Sequence, residues 1–583
     1  MDDTFLKFYE NELDHLRNSA GRFATEFPKI ARRLQLSSNE CADPYVERLL
    51  EGVAFLTARI ARKLDDGLQD FPETLLNQMA PEFNAPVPSR AIVQILPDKG
   101  TPSRLPQGTV FEVATSLPGG EKCRYTLQHP LTLSGLVVSG CRYDENEIKP
   151  LALRHGIEAS GAIRLELHCS ASEADDVNFF LGMPESVAGE LLQLLLTECS
   201  GIILESDSGT RLLPSGALCE APLGAVSPAL PAVAEYFLLP EQRAFFSIRG
   251  LRSLLPASGD ARLHIALRRN PGERVCLQLN TGEPLLPDCA LVLNAFNHRL
   301  SRVVPSWRQA EHLVADATAA SNYEILQVQR GSAHTQDNYW LFDIHPFYLS
   351  ADLLQPTGAE RLNYFSVHRE TPVAPPRKRL SSYKGSEVYL QLSGPDYTAR
   401  RNSIASISLT ALCSNRDLPL FVRKDARLQG AEARAEFMTS PTPPQEPLMQ
   451  DAARWMGLSL ARLNPGTLAA YGTALPDLLR TLLSHLHAAD NHSAARQVRG
   501  IESASVSATT CTVPIMGDLC VMRGWAFDIK LNEQAFADTG TYLFASALAS
   551  FLLAFSEFNT FTRVTIRTTS GIINTWQLQP KKA

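Results

Sequence analysis

After Ser89 the spacing of the apolar residues changes, and that change divides what the chain can fold into. Before it, Phe5, Tyr9, Leu13, Leu16, Ala20, Phe23 and Phe27 recur at alternating steps of four and three. That is the seam of a long helix, and the spacing predicts one over 4–30. A second helix starts at Asp43-Pro44, because Asp caps free N–H groups and Pro suits the first turn. Projected at about 100° per residue, Val46, Leu49, Leu50, Val53, Leu56, Ile60 and Leu64 of this helix share one stripe. Phe55 points away from that stripe, and Gly52, Ala54, Ala58 and Ala61 leave much of the other surface nearly bare. The helix therefore needs two things to pack against. The stripe is expected to face the chain's own core and the Phe55 face something else. Asp70 and Glu73 have the spacing of a capping box and predict a third, shorter helix, with "KLDDGLQD" (63–70) solvating the turn before it. Three prolines in "PEFNAPVPS" (81–89) end the helical region.

Beyond Ser89 the period is two. Ile163, Leu165 and Leu167 alternate with Arg164, Glu166 and His168, and Leu263, Ile265 and Leu267 with His264, Ala266 and Arg268. Strand-like runs recur at 91–96, 109–115, 323–329, 387–393 and 406–412, punctuated by Gly, Pro, Asn and Asp. Such alternation implies antiparallel sheets with one wet face. One helix, 185–198, interrupts them. The proline-rich "SPTPPQEP" (440–447) marks a further boundary, followed by helical stretches at 448–461 and 474–489. The last segment reads strand (Trp525, Phe527, Ile529, Leu531), helix (542–557) and strand (562–568). The fold class expected is α+β multidomain. It comprises an N-terminal long-helix bundle (1–88), a β-rich antiparallel middle region of two subdomains (89–370) and an α+β C-terminal region (371–583).

A length of 583 residues suggests about three or four domains. With 44% hydrophobic residues each can bury a core, and a net charge of -7 gives no sign of a nucleic-acid-binding surface. The basic run Arg377-Lys378-Arg379 reads as a solvated linker. The start, "MDDTFLKFYE", carries no secretory signal. The longest apolar stretch, Leu543 to Phe555, is too short for a membrane span of about twenty residues. A chain that stays in the cytoplasm is expected. The 11 cysteines include no C-x-x-C and are odd in number, which implies reduced, buried thiols.

Motifs that carry chemistry are missing. His485, His487, Asp490 and His492 cluster in "SHLHAADNH", but neighbours at i and i+2 point about 200° apart on a helix and cannot share a metal. There is no phosphate-cradling glycine loop, no H-E-x-x-H and no G-x-S-x-G. No nucleophile with its base is nominated, so no catalytic, cofactor-binding or metal-ligating residue is expected, and no cofactor.

The residues do carry a resemblance. "ECADPYVERLLEGVAFLTARIARKLDD" (40–66) resembles the signature block of the TssF family, baseplate subunits of the bacterial type VI secretion system. "FYENELDHLRNSAGRFATEFPKIARRL" (8–34) is similar to that family's opening helix, and "PVPSRAIVQILPD" (86–98) to the segment that follows. "CSNRDLP" (413–419) resembles a family motif usually written with Thr where Ser414 stands. The tail from Arg523-Gly524 through "YLFASALASFLLAFSEFNTFTRV" (542–564) resembles the family's last helix and strand. Departures occur at "CALVLNAFNH" (289–298), where Leu291 replaces a usual proline, and at "FAS" and "FNTFT" in the tail.

The resemblance implies a non-catalytic structural subunit, similar to the wedge protein of contractile-phage baseplates. Two copies are expected to clasp one TssG, joined by TssE and TssK, with further contacts to the VgrG spike and the sheath. The assembled baseplate would lie at the inner face of the inner membrane, with no direct membrane insertion. The alternative is a wedge protein of a phage tail or another contractile injection particle. In such an assembly helices of different chains form one bundle, and the partner-facing residues expected are Phe5, Phe8, Tyr9, Gly52, Phe55 and Ala58.

Overall fold

A computed structural model describes residues 3–31, 44–97, 101–207, 209–221, 231–281, 285–306, 308–316, 319–347, 363–372, 375, 377, 380–394, 397–398, 401–449, 453–460, 463–515, 518–556 and 560–578. It divides into two compact units, Met1–Leu76 and Asn77–Ala583.

The first unit is built from helices Asp3–Glu26 and Pro44–Met79, the latter running past the unit's end. Pro28 stops the first helix, because the residue before a proline is pushed out of the helical region. Pro44 opens the second, as the sequence implied, while Asp43 lies outside the described residues. The break expected near Asp70 is absent. One helix of 36 residues runs through it and carries Pro72 in its interior. A proline there removes one i→i−4 bond, and helix on both sides holds the backbone in place.

The second unit is organised around a closed six-stranded barrel. Its strands run in the order Arg90–Leu96, Cys289–Leu293, Lys122–Leu127, Val110–Ala114, Arg427–Gly430 and Arg434–Phe437. Alternate residues point inward, so Ala91, Val93, Ile95, Phe111, Val113, Tyr125, Val292, Leu428 and Phe437 fill the interior. Between barrel strands lie two insertions. The first holds a five-stranded sheet that includes Gly161–Cys169 and Gly259–Leu267, a four-stranded sheet and the helix Glu185–Glu198. The second is a seven-stranded sheet in the order Phe296–Arg299, Ser406–Ser414, Glu324–His334, Trp340–Pro346, Tyr364–Glu370, Glu387–Ser393 and Glu311–Val314. The boundary expected at 370 falls inside this sheet, because strands distant in sequence close it.

The motif 413–419 fastens the sheet to the barrel. Asn415 and Asn294 exchange hydrogen bonds: the Asn415 N–H donates to Asn294 Oδ1 (2.7 Å) and Asn294 Nδ2 to Asn415 Oδ1 (2.9 Å). The Arg124 N–H of a barrel strand donates to the same Oδ1 at 2.8 Å. Arg416 adopts a left-handed backbone (φ 52), and Asp417 is fully buried in an ion pair with Arg377. Arg377 is thus no solvated linker residue. A buried carboxylate needs a counter-charge, and this arginine supplies it.

The C-terminal sheet pairs Ile501–Ile515, Asp518–Leu531, Phe561–Thr568 and Gly571–Leu578 in that order. Asp518–Leu531 and Phe561–Thr568 are parallel and joined through the helix Tyr542–Leu553. That helix is buried nearly all round, which explains its uniform apolarity. Phe544 meets Tyr236 edge-on at 5.9 Å, and Arg243 donates to Ser550 Oγ at 2.9 Å, so the middle region covers the helix. Among the described residues no helix is long and apolar enough to cross a membrane.

Candidate partner interface

The two long helices of the first unit run antiparallel. Phe5 meets Phe55 edge-on with ring centroids 5.4 Å apart, and Arg17 is ion-paired with Glu47. Ala54 and Ala58 are fully buried at 0% exposure. Small residues let helix axes approach closely, and the chain covers for itself the part of the nearly bare face that holds Ala54 and Ala58. Phe55 is nonetheless 40% exposed, so this face, too, is partly open to water. Phe55 and Ala58 make their contacts within the chain, with Phe5, Phe8 and Tyr9 partly buried on the opposite helix. Gly52 is exposed, and a Cβ added there would meet no atom within 4 Å.

The bulky stripe is the more open of the two faces. Leu49 (68% exposed), Val53, Leu56, Ile60 (60%) and Leu64 stand in water, and Tyr45 extends the row by one turn. Their spacing of four, three, four and four is that of a helix-bundle seam. Val46 falls outside the described side chains. A contiguous exposed apolar stripe on a folded unit marks an interaction surface. The signal was present in the sequence; what was missing there was knowledge of which face the first helix takes.

The histidines singled out in the sequence are scattered. His485 caps the helix Leu475–Ser484, His487 lays its ring edge against Phe237 at 5.4 Å, and His492 opens the helix His492–Arg499. Among the described residues no group of three or more His, Cys, Asp or Glu is placed to hold a metal. The described cysteines are free thiols, most of them buried, and burial pushes the thiol of Cys199 up to about 11.

The family profile described as "Type VI secretion system, TssF" matches residues 1–582. A relative from Pseudomonas aeruginosa, the type VI secretion system component TssF1, is 31% identical, aligned over all of this chain and 99% of its own. Two solved structures share the fold. A chain of the TssK-TssF-TssG baseplate subcomplex has a TM-score of 0.69 at 19% identity, over 92% of this chain and 99% of that one. A chain of the baseplate complex from the type VI secretion system has a TM-score of 0.54 at 18% identity, over 97% and 98%. The helical hairpin, the barrel and the C-terminal sheet all fall within a match that spans the chain, which belongs to the TssF family of type VI secretion proteins.

Proposed function

We propose that this chain is a non-catalytic structural subunit of the type VI secretion baseplate wedge. Two copies clasp one TssG, TssK and TssE complete the wedge, and the assembled baseplate supports sheath assembly around the VgrG spike at the cytoplasmic face of the inner membrane. The observation that carries this reading is the full-length likeness to a chain solved within a TssK-TssF-TssG subcomplex. The open stripe Leu49–Val53–Leu56–Ile60–Leu64 supports it, because a bundle with helices of a partner would cover that stripe. Phe55 and Ala58 then hold the hairpin together behind it.

Coexpression with tagged TssG followed by native mass spectrometry tests the proposal. A complex with two copies of this chain per TssG is expected. A chain that stays monodisperse alone and ignores TssG would overturn it.

A further inference from the structure

The helix Pro44–Met79 is unbroken, yet residues 67–73 carry the signals of a helix end followed by a helix start. Gly67 suits the position just past a C-terminus, where a left-handed backbone closes the last turn. Asp70 and Glu73 have the capping-box spacing, and Phe71 and Pro72 between them would form the first turn. A proline is tolerated there, because the N–H groups of a first turn have no partner inside their helix. In the unbroken helix the same residues are unfavourable. Glycine is a poor interior residue. Pro72 leaves the Leu68 carbonyl without its i→i−4 donor, its ring crowds that carbonyl, and it disfavours a helical backbone at Phe71. Against this, the unbroken form keeps the amides of Gln69 and Phe71 bonded to the carbonyls of Asp65 and Gly67, and a break releases both. Opposed terms of similar size make a helix with two states.

The surroundings of the segment make it a hinge. N-terminal to it, Leu49, Leu56, Ile60 and Leu64 stand in water. C-terminal to it, Pro72 is buried, Leu76 and Asn77 are enclosed, and Asn84 Nδ2 donates to Asn77 Oδ1 at 2.9 Å. A bend between the two parts re-aims the stripe and leaves Leu76 and Asn77 seated. We propose that the helix Pro44–Met79 is a two-state element, unbroken in this structure and, in its second state, broken at 67–70 into two capped helices that turn the stripe Leu49–Leu64 to a new direction. That a partner meets the re-aimed stripe rests on the assembly reading above; the existence of the two states does not.

The test uses the full-length chain, copurified with TssG where it needs that partner to stay in solution. Hydrogen exchange at single-amide resolution reads protection at Gln69 and Phe71, the two amides that the break sets free. Two substitutions at Asp70 separate a capped second state from simple fraying. Asn caps a helix as well as Asp does and Val does not, while all three are alike in a helix interior. Asp70→Val should therefore raise protection at Gln69 and Phe71 about fivefold, the effect of losing one cap, and Asp70→Asn should leave it as in the parent. Pro72→Ala removes the cost of the unbroken form and should raise protection at both amides by about tenfold or more, with a higher melting temperature. Equal protection in the Asn and Val variants would mean a kinked helix that frays with no capped second state, and overturns the proposal. So does unchanged protection in Pro72→Ala. Neither measurement reads capture of TssG, so the hinge and the assembly reading fail separately.

Discussion

Glu185, the first residue of its helix, accepts a hydrogen bond from Tyr236 Oη at 2.6 Å, and Gln497 Nε2 donates to the same Oη at 3.1 Å. Burial pushes this carboxyl up to about 7 from an ordinary 4.5, against the opposing effect of the Tyr236 bond. The folded protein therefore holds the proton more tightly than the unfolded chain does. The stability this contributes is complete below pH 4.5 and is lost as the pH rises through about 7. Glu185→Gln keeps an acceptor for Tyr236 and removes the charge. It should match the parent at pH 4.5 and exceed it at pH 8 by on the order of 1–2 kcal/mol, read as urea midpoints at the two pH values. A second residue-scale contrast decides which face of the hairpin is used. Ile60→Glu, on a position already in water, should leave the helix content intact and abolish capture by TssG. Phe55→Ala removes the edge contact with Phe5 and should cost the hairpin about 1–2 kcal/mol, visible as faster amide exchange over 3–26. Retained binding in Ile60→Glu would return the partner to the face first read from the sequence.

At the scale of elements, the Arg523-Gly524 pair gains a physical reason. Gly524 pairs with Phe561 in the parallel ladder, and a Cβ there would lie 2.2 Å from the Phe561 carbonyl oxygen. Gly524→Ala must pry those strands apart, and about 1–3 kcal/mol or more of destabilisation is expected, with the C-terminal sheet the first region cut by limited proteolysis. Strands with apolar alternation, such as Gly161–Cys169 and Gly259–Leu267, were legible because one face of each is core. Ile501–Ile515 was not, since the residues that alternate along it are small (Ala504, Val506 and Ala508 against Ser503, Ser505 and Ser507) and give a weak signal, and its identity comes from pairing with Asp518–Leu531. The barrel was illegible for another reason: neighbours such as Ile92 and Leu291 lie far apart in sequence, and no local pattern encodes who pairs with whom. The open stripe was readable as apolar spacing. Its exposure was not, because that depends on two alanines letting the first helix settle on the other side.

At the scale of the whole molecule, the expected role is mechanical. Replacing His485, His487 and His492 together by Asn should leave TssG capture unchanged, and elemental analysis of the purified complex should find no stoichiometric zinc due to this chain. Bound metal that vanishes in the triple variant, together with lost assembly, would contradict that. The barrel's order of strands carries a consequence for how the protein is made. Strand Arg90–Leu96 pairs on one side with Cys289–Leu293 and on the other with Arg434–Phe437. Ribosomes add roughly 5–20 residues per second, so the first barrel strand is synthesised tens of seconds before the last. Through that interval Val93 and Ile95, later fully enclosed, have no complete barrel to enter. The sheets inserted between barrel strands can form as they emerge, whereas the barrel cannot close until Phe437 has left the exit tunnel. A nascent chain halted before that point should be a client of chaperones, however well its inserted sheets have folded.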